Sequence, residues 1–217
     1  MVFKDRQGSD TQLMRVYCIH LPNPERKEKI AAELAKHGYG DIEYIHAQEP
    51  ADGFRMSNMR RNPRAEFGCA LSHLKAICKA IADGVDRALF IEDDIKFRSY
   101  DFIEWPEDWR VIYYGGHPRE PVVKVHEILY RVGRFSCAEA YEMNRDSMRE
   151  FVQFWCDRAG QPNAMFDFIL GEFAAQGGGY AFYPTITHQP VGYSHIGNKI
   201  DDKKALIERG WQSNLPA

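Results

Sequence analysis

Several features are missing from this 217-residue sequence, and each absence removes a class of protein. No window approaches ~18 uninterrupted apolar residues, so no membrane-spanning helix is expected. The opening stretch, residues 1–10, has no apolar run of the kind a secretory signal needs. Residues 1–12 read as a flexible tail, and residues 13–217 as a single domain without internal repeat or linker. An excess of basic charge is also absent: 28 Lys and Arg face 31 Asp and Glu, a formal net charge of −3. A general nucleic-acid coat is thereby excluded, although a local basic patch is not. There is no long polar tract and 13% of the residues are aromatic, so intrinsic disorder is not expected.

Cysteine is sparse. The five are Cys18, Cys69, Cys78, Cys137 and Cys156, an odd number with no Cys-x-x-Cys pair. Neither a disulfide framework nor a structural zinc site is expected from that spacing. In apolar-periodic segments a reduced cysteine acts as a small hydrophobe. A reducing, cytoplasmic location is the expectation, host cytoplasm if the source is viral.

What is present is an alternation of strand and helix patterns. Residues 14–21 read as a strand ended by Pro22-Asn23-Pro24. Residues 25–37 have helical spacing, with Ile30 and Leu34 on one face and Gly38 as the stop. A strand follows at 42–47. This opening predicts an α/β fold with a mostly parallel sheet flanked by helices. A helix is expected at 65–83, with Phe67, Leu71, Leu74, Ile77, Cys78 and Ile81 inward. Strands are expected at 87–91, 109–114 and 180–183, a hairpin at 122–132, and helices at 145–158 and 166–176. From 185 onward the pattern is polar and loop-like, with a helical turn or two near 202–209. Gly177-Gly178-Gly179 reads as a helix stop rather than a phosphate loop.

The sharpest feature is Glu92-Asp93-Asp94, delivered at the end of the apolar run 88–91. Three adjacent carboxylates repel one another and are costly to hold together without a cation. The C-terminal edge of an open α/β sheet is where ligands bind. Hard oxygen donors suit Mg²⁺ or Mn²⁺, which complete their shells with substrate phosphates. The expectation is that Asp94 binds a divalent ion bridging a diphosphate, with Glu92 and Asp93 alongside. The plain alternative is a solvated acidic turn.

Other candidates carry a functional and a structural reading side by side. Arg55, Arg60, Arg61 and Arg64 lie in a segment without acids. Guanidinium pairs bidentately with phosphate, so they could clamp a diphosphate; the alternative is a solvated loop. Ser72 and His73 are adjacent on a helix and point about 100° apart, so they are not a nucleophile–base pair. They either contact a nucleotide or the acidic motif, or they make packing hydrogen bonds. Asp167 is either a first-turn dipole partner or a general base for an acceptor hydroxyl. His188 and His195 lie in a Pro/Gly-rich loop, where a histidine is usually polar surface.

Three segments together resemble the glycosyltransferase family 25, the lipooligosaccharide-biosynthesis type. They are Val16-Tyr17-Cys18-Ile19-His20-Leu21-Pro22-Asn23-Pro24-Glu25-Arg26, Glu66-Phe67-Gly68-Cys69-Ala70-Leu71-Ser72-His73, and Leu89-Phe90-Ile91-Glu92-Asp93-Asp94. The chain departs from the family at Asn23, usually acidic there, and at Ser194-His195-Ile196, often Ser-Asp-Ile. The resemblance implies a GT-A-like, Rossmann-type sandwich. It implies metal-dependent transfer of a hexose from a nucleotide-diphosphate sugar, most often UDP-linked, to a hydroxyl acceptor. The acceptor stays open: a lipooligosaccharide or other glycan, a protein hydroxyl, or a modified DNA base. On this basis Leu21, Asn23, Arg26, Ser72, His73, Glu92 and Asp93 would face the nucleotide sugar, and Arg60, Arg61 and Arg64 its diphosphate. Glu92, Asp94 and His195 would hold Mn²⁺ or Mg²⁺, and Asp167 would act as base. Two alternatives remain: a phosphohydrolase with an acidic metal site, and a catalytically silent nucleotide-sugar-binding module. Glu92 argues against the first, which wants an aspartate nucleophile directly after the strand.

Overall fold

The computed structural model describes residues 15–49, 63–98, 103–159, 165–194 and 199–216. The expected tail at 1–12, together with Arg55, Arg60, Arg61 and His195, lies outside them. The chain begins with strand β1 (Arg15–His20), helix α1 (Pro24–Lys36) and strand β2 (Ile42–His46). Asn23 starts α1: its side chain accepts a hydrogen bond from the Arg26 amide at 3.2 Å, and Pro24 fills the first helical position. Gly38, at φ 77°, takes the left-handed turn after the helix. Next come α2 (Pro63–Asp83), β3 (Arg87–Glu92), β4 (Lys96–Phe97), β5 (Val111–Tyr113) and β6 (His117–Pro118). A hairpin of β7 (Val123–Lys124) and β8 (Leu129–Arg131) is followed by β9 (Phe135–Ser136) and β10 (Ala140–Asn144). Helices α3 (Arg145–Cys156) and α4 (Phe166–Ala174) lead to β11 (Gly179–Phe182) and β12 (Thr187–His188). The described chain ends with β13 (Gly192–Ser194), β14 (Lys199–Asp201) and α5 (Lys203–Gln212).

Eight strands form one sheet in the order β2-β1-β3-β10-β5-β11-β8-β7. Six run in one direction, and only β10 and β8 run against it. The expected α/β architecture is therefore observed. Burial on both faces explains the unbroken apolar runs. Tyr17, Ile19, Ala88 and Phe90 join the core beneath α2, α3 and α4, while Val16, Cys18, Leu89 and Ile91 join the core on the opposite face. Period-two alternation thus serves two cores at once. Each such Leu, Ile or Phe contributes about 1.5–3 kcal/mol when fully buried.

Two expectations need correction, and one strand was unforeseen. Ile77, Leu74 and Ile81 of α2 do face the core, but the most buried positions also include Ala70, Ser72, His73, Ala76 and Ala80, while Cys78 is exposed and Phe67 and Leu71 are half-buried. Small residues let this helix lie close to the sheet, and that contact outweighs the apolar count. The segment after 185 is not loop-like: it holds three short strands and the ten-residue α5. Strand β10 was not legible, because its centre is the fully buried Glu142. That carboxylate lies 2.9 Å from Arg87 Nε and accepts a hydrogen bond from Tyr114 Oη at 2.9 Å.

Candidate functional site

Topology gathers the polar residues at one edge of the sheet. Strands β1 and β3 are parallel and end there, so Leu21 and the acidic triplet emerge side by side. Strand β10 is antiparallel to β3 with Ala140 opposite Ile91, so its beginning meets the end of β3. The Glu92 amide donates to the Glu139 carbonyl at 2.9 Å, which places Glu139 directly beside the triplet. Helix α5 adds its first residue, Lys203. Trp211 pins that helix: it is fully buried, and its indole N–H donates to the Gly116 carbonyl at 3.0 Å.

The three acids have different surroundings. Asp93 is buried; its Oδ2 accepts from the Leu21 amide at 3.0 Å, and its Oδ1 lies 2.5 Å from an Arg26 nitrogen. The same nitrogen is 3.0 Å from Asp94 Oδ2, so Arg26 clamps two carboxylates. Gln189 donates from one amide nitrogen to Glu92 Oε2 at 2.5 Å and to Asp94 Oδ1 at 2.8 Å. The two acids therefore aim one oxygen each at a common point. The Gln189 carbonyl in turn accepts from Lys203 Nζ.

The charges are strongly coupled. Burial works against the Glu92 carboxylate, but His73, Lys203 and Gln189 hold its pKa below the usual value. Burial and the neighbouring Glu92 push Asp94 up. Burial also raises Asp93, against the pull of Arg26. Lys203 resists burial because Glu92, Cys137, Glu139 and Asp94 surround it, and its pKa is raised. A lysine in the first turn of a helix opposes the helix dipole, so these acids are the physical reason it is tolerated there.

Sequence reasoning missed Glu139, Gln189 and Lys203. Glu139 is 1% exposed, and among the described residues neither carboxylate oxygen has a hydrogen-bond partner. Burial pushes its pKa to about 7, with Glu92 and Asp94 adding to the effect and Lys203 opposing it. Gly115 packs against the Glu139 carboxylate. A Cβ there would lie 2.2 Å from Glu139 Oε1 and 2.5 Å from Thr187 Oγ1, so a larger residue would have to push these side-chain ends aside.

The other anticipated residues divide clearly. Leu21, Arg26, Glu92, Asp93 and Asp94 are brought together, and His73 joins them with its Nε2 3.5 Å from Glu92 Oε1. Ser72 is not brought in. Its hydroxyl donates to the Gly68 carbonyl at 2.6 Å and accepts from the Gln48 amide at 2.8 Å, both within the fold. Asn23 is occupied as the α1 cap. Arg64 is exposed in the first turn of α2. Asp167 accepts from the Cys137 amide at 3.3 Å, and burial raises its pKa, with Lys203 among the opposing charges. His188 lies on β12, half-buried.

Converging hard oxygens at a strand end fit a small divalent cation: two carboxylates supply one oxygen each, and Arg26 and Lys203 offset the remaining charge. A separate groove at the opposite end of the central strands is lined by Asp86, Asp108, Arg110, Asn144 and Glu150 among others. None of the described helices is long and apolar enough to cross a membrane.

No family model matches the chain, and no curated protein sequence matches it. Several solved structures resemble it, two of them as follows. One is a glycosyltransferase involved in the glycosylation of the major capsid of PBCV-1, with 12% identity and a TM-score of 0.41, covering 72% of each chain. The other is A197 from STIV, with 15% identity and a TM-score of 0.46, covering 77% of this chain and 81% of that one. At such scores the likeness assigns no function, and the chain's own geometry has to carry the functional argument.

Proposed function

We propose that this chain is a metal-dependent glycosyltransferase that moves a sugar, a hexose by family resemblance, from a nucleotide-diphosphate donor to a hydroxyl acceptor. One observation carries the proposal: Glu92 and Asp94 aim oxygens at a single point, beside Arg26, on the edge where β1 and β3 end. A solvated acidic turn would spread its carboxylates rather than converge them. The family 25 resemblance of the three motif segments agrees, as does the α/β sheet, which a GT-A-like enzyme requires. A UDP-linked donor follows from the resemblance alone.

In this reading Glu92 and Asp94 hold Mn²⁺ or Mg²⁺. The cation supplies neutralisation of the charge that develops on the leaving diphosphate. Arg26, which already spans Asp93 and Asp94, is a fixed guanidinium placed for the same phosphates. Leu21 and Asp93, tied by their hydrogen bond, fix the wall against which the nucleoside packs. His73 holds Glu92 in place from behind. Asp167 takes the acceptor's proton, its carboxylate made more basic than usual by burial. Glu139 is too buried to meet an acceptor, and it sets the charge balance of the cluster instead.

The test is a donor screen by nucleotide release and thermal shift, with and without Mn²⁺. Wild type should bind one class of nucleotide sugar only with the cation. Asp94→Asn should lose that cation dependence, and Asp167→Asn should bind donor but turn over at least ~100-fold more slowly. Equal, metal-independent affinity in wild type and Asp94→Asn would sink the proposal. Phosphate release without sugar transfer would identify a phosphohydrolase instead.

A further inference from the structure

Glu92 has a second face. Its Oε2 points to Gln189 and Asp94, whereas its Oε1 points toward His73 and into the fold. On that side Cys69 Sγ, a His73 ring nitrogen and a Glu92 oxygen all lie within 4.8 Å of one another. Cys69 and His73 are four apart on α2, so the helix presents them on one face. Glu92 approaches from the end of β3.

The histidine is held as a ligand would be. Tyr141 Oη lies 3.1 Å from Nδ1, which engages that nitrogen on the far side of the ring. Nε2 is left facing Glu92. The ring stacks on Phe166 with centroids 4.3 Å apart, and His73 is 1% exposed, so its direction is fixed. A histidine ligand characteristically has its second nitrogen engaged by a partner that sets tautomer and orientation. Thiolate, imidazole and carboxylate together form a mixed donor set of intermediate softness. That set suits Zn²⁺ far better than Mg²⁺ or Mn²⁺.

We propose that Cys69, His73 and Glu92 form a binding site for a thiolate-accepting divalent cation of the Zn²⁺ class, with a fourth position left for water. On binding, the Cys69 S–H bond breaks, the sulfur pair forms the bond to the cation, and the proton leaves to solvent. No redox change occurs. The site is distinct from the oxygen pair of Glu92 and Asp94, and it does not depend on the glycosyltransferase reading. The two positions share Glu92 as a bridge, so occupancy of the inner site would fix the carboxylate that the outer site uses. The absence of a Cys-x-x-Cys pair does not bear on it, because its ligands come from a helical i, i+4 pair and a distant strand.

The test uses the full chain, stripped with chelator and titrated with Zn²⁺ by calorimetry and with Co²⁺ by absorption. Wild type should bind one equivalent of Zn²⁺, and the Co²⁺ form should show a near-ultraviolet thiolate charge-transfer band. Cys69→Ser should abolish that band. Tyr141→Phe, which keeps the ring and removes only the hydroxyl, should weaken Zn²⁺ binding by about 10–100-fold. Asp94→Asn should leave it unchanged. Alkylation with peptide mapping supplies a readout without any variant: Zn²⁺ should protect Cys69 and leave the exposed Cys78 and Cys156 reactive. A Co²⁺ complex lacking the thiolate band overturns the proposal. So does Zn²⁺ binding lost in Asp94→Asn but retained in Cys69→Ser, and so does unprotected Cys69 at saturating Zn²⁺.

Discussion

Replacing Glu139 by Gln isolates the energetic cost of one buried charge. The carboxyl has an ordinary value of 4.5 in the unfolded chain, and burial raises it to about 7 in the fold. Between those values the folded chain keeps a proton that the unfolded chain has released, so wild-type stability falls as pH rises through this window. The benefit of folding with a neutral Glu139 is complete below about 4.5 and lost above about 7. At ~1.4 kcal/mol per pH unit, the span from 4.5 to 7 corresponds to about 3 kcal/mol. Glutamine has nearly the same shape and carries no charge at any pH. Glu139→Gln should therefore match wild type near pH 4.5 and exceed it by about 3 kcal/mol at pH 8.

Urea denaturation of both proteins between pH 4.5 and 8, in the presence of chelator, measures that gap directly. Taking the difference cancels the titrating groups that do not interact with Glu139. Melting temperatures should separate by roughly 6–12 °C at pH 8, at about 2–4 °C per kcal/mol for a chain of this length. A gap that stays constant across the range would refute the reasoning, because it would mean that Glu139 titrates alike in both states. A gap that opens in the opposite direction would mean that Lys203 pairs with Glu139 strongly enough to overcome burial.

Two further substitutions test the packing that positions the site. Gly171→Ala should destabilise by about 1–3 kcal/mol, since a Cβ there would sit 2.5 Å from the Phe135 carbonyl oxygen and 2.8 Å from its nitrogen, both backbone atoms that cannot swing away; an unchanged melting temperature would show that α4 can withdraw from β9. Arg87→Leu removes the cation beside the fully buried Glu142 and should cost about 3–5 kcal/mol at neutral pH. That cost should shrink toward acid pH, where Glu142 can take a proton, and a pH-independent loss would point to packing rather than charge.

The sequence made the first half of the sheet legible for a physical reason. β1 and β3 are buried on both faces, so their apolar runs are continuous, and α1 carries its own cap and stop residues. Glu92-Asp93-Asp94 stood out because three acids in a row interrupt the apolar pattern at the strand's end. Where polar groups are satisfied only by distant partners, the pattern failed. Strand β10 hides behind Glu142, whose partners Arg87 and Tyr114 lie 55 and 28 positions away. The inner face of α2 was only partly legible because close packing selected alanine and histidine over the larger residues beside them. Lys203 and Gln189 sit in a polar region whose strands are two or three residues long, too short to show periodicity.

The antiparallel strand explains why one edge collects so much charge. A purely parallel sheet would bring only strand ends to that edge, each followed by a loop free to carry its acids into solvent. With β10 inserted between β3 and β5, the beginning of an antiparallel strand meets the ends of its neighbours, and the Glu92 amide is tied to the Glu139 carbonyl. The main chain thereby forces a fourth carboxyl against the triplet and buries it. Four acids in so small a volume demand compensation. Arg26 supplies it from α1, and Lys203 from α5, which is anchored through Trp211 to the Gly115-Gly116 turn. Gln189 completes the arrangement by spanning Glu92, Asp94 and Lys203 at once. A cation bound between Glu92 and Asp94 must displace that amide. Its affinity will therefore depend on how readily Gln189 and Lys203 give way, and mutating either should change cation affinity without touching a carboxylate.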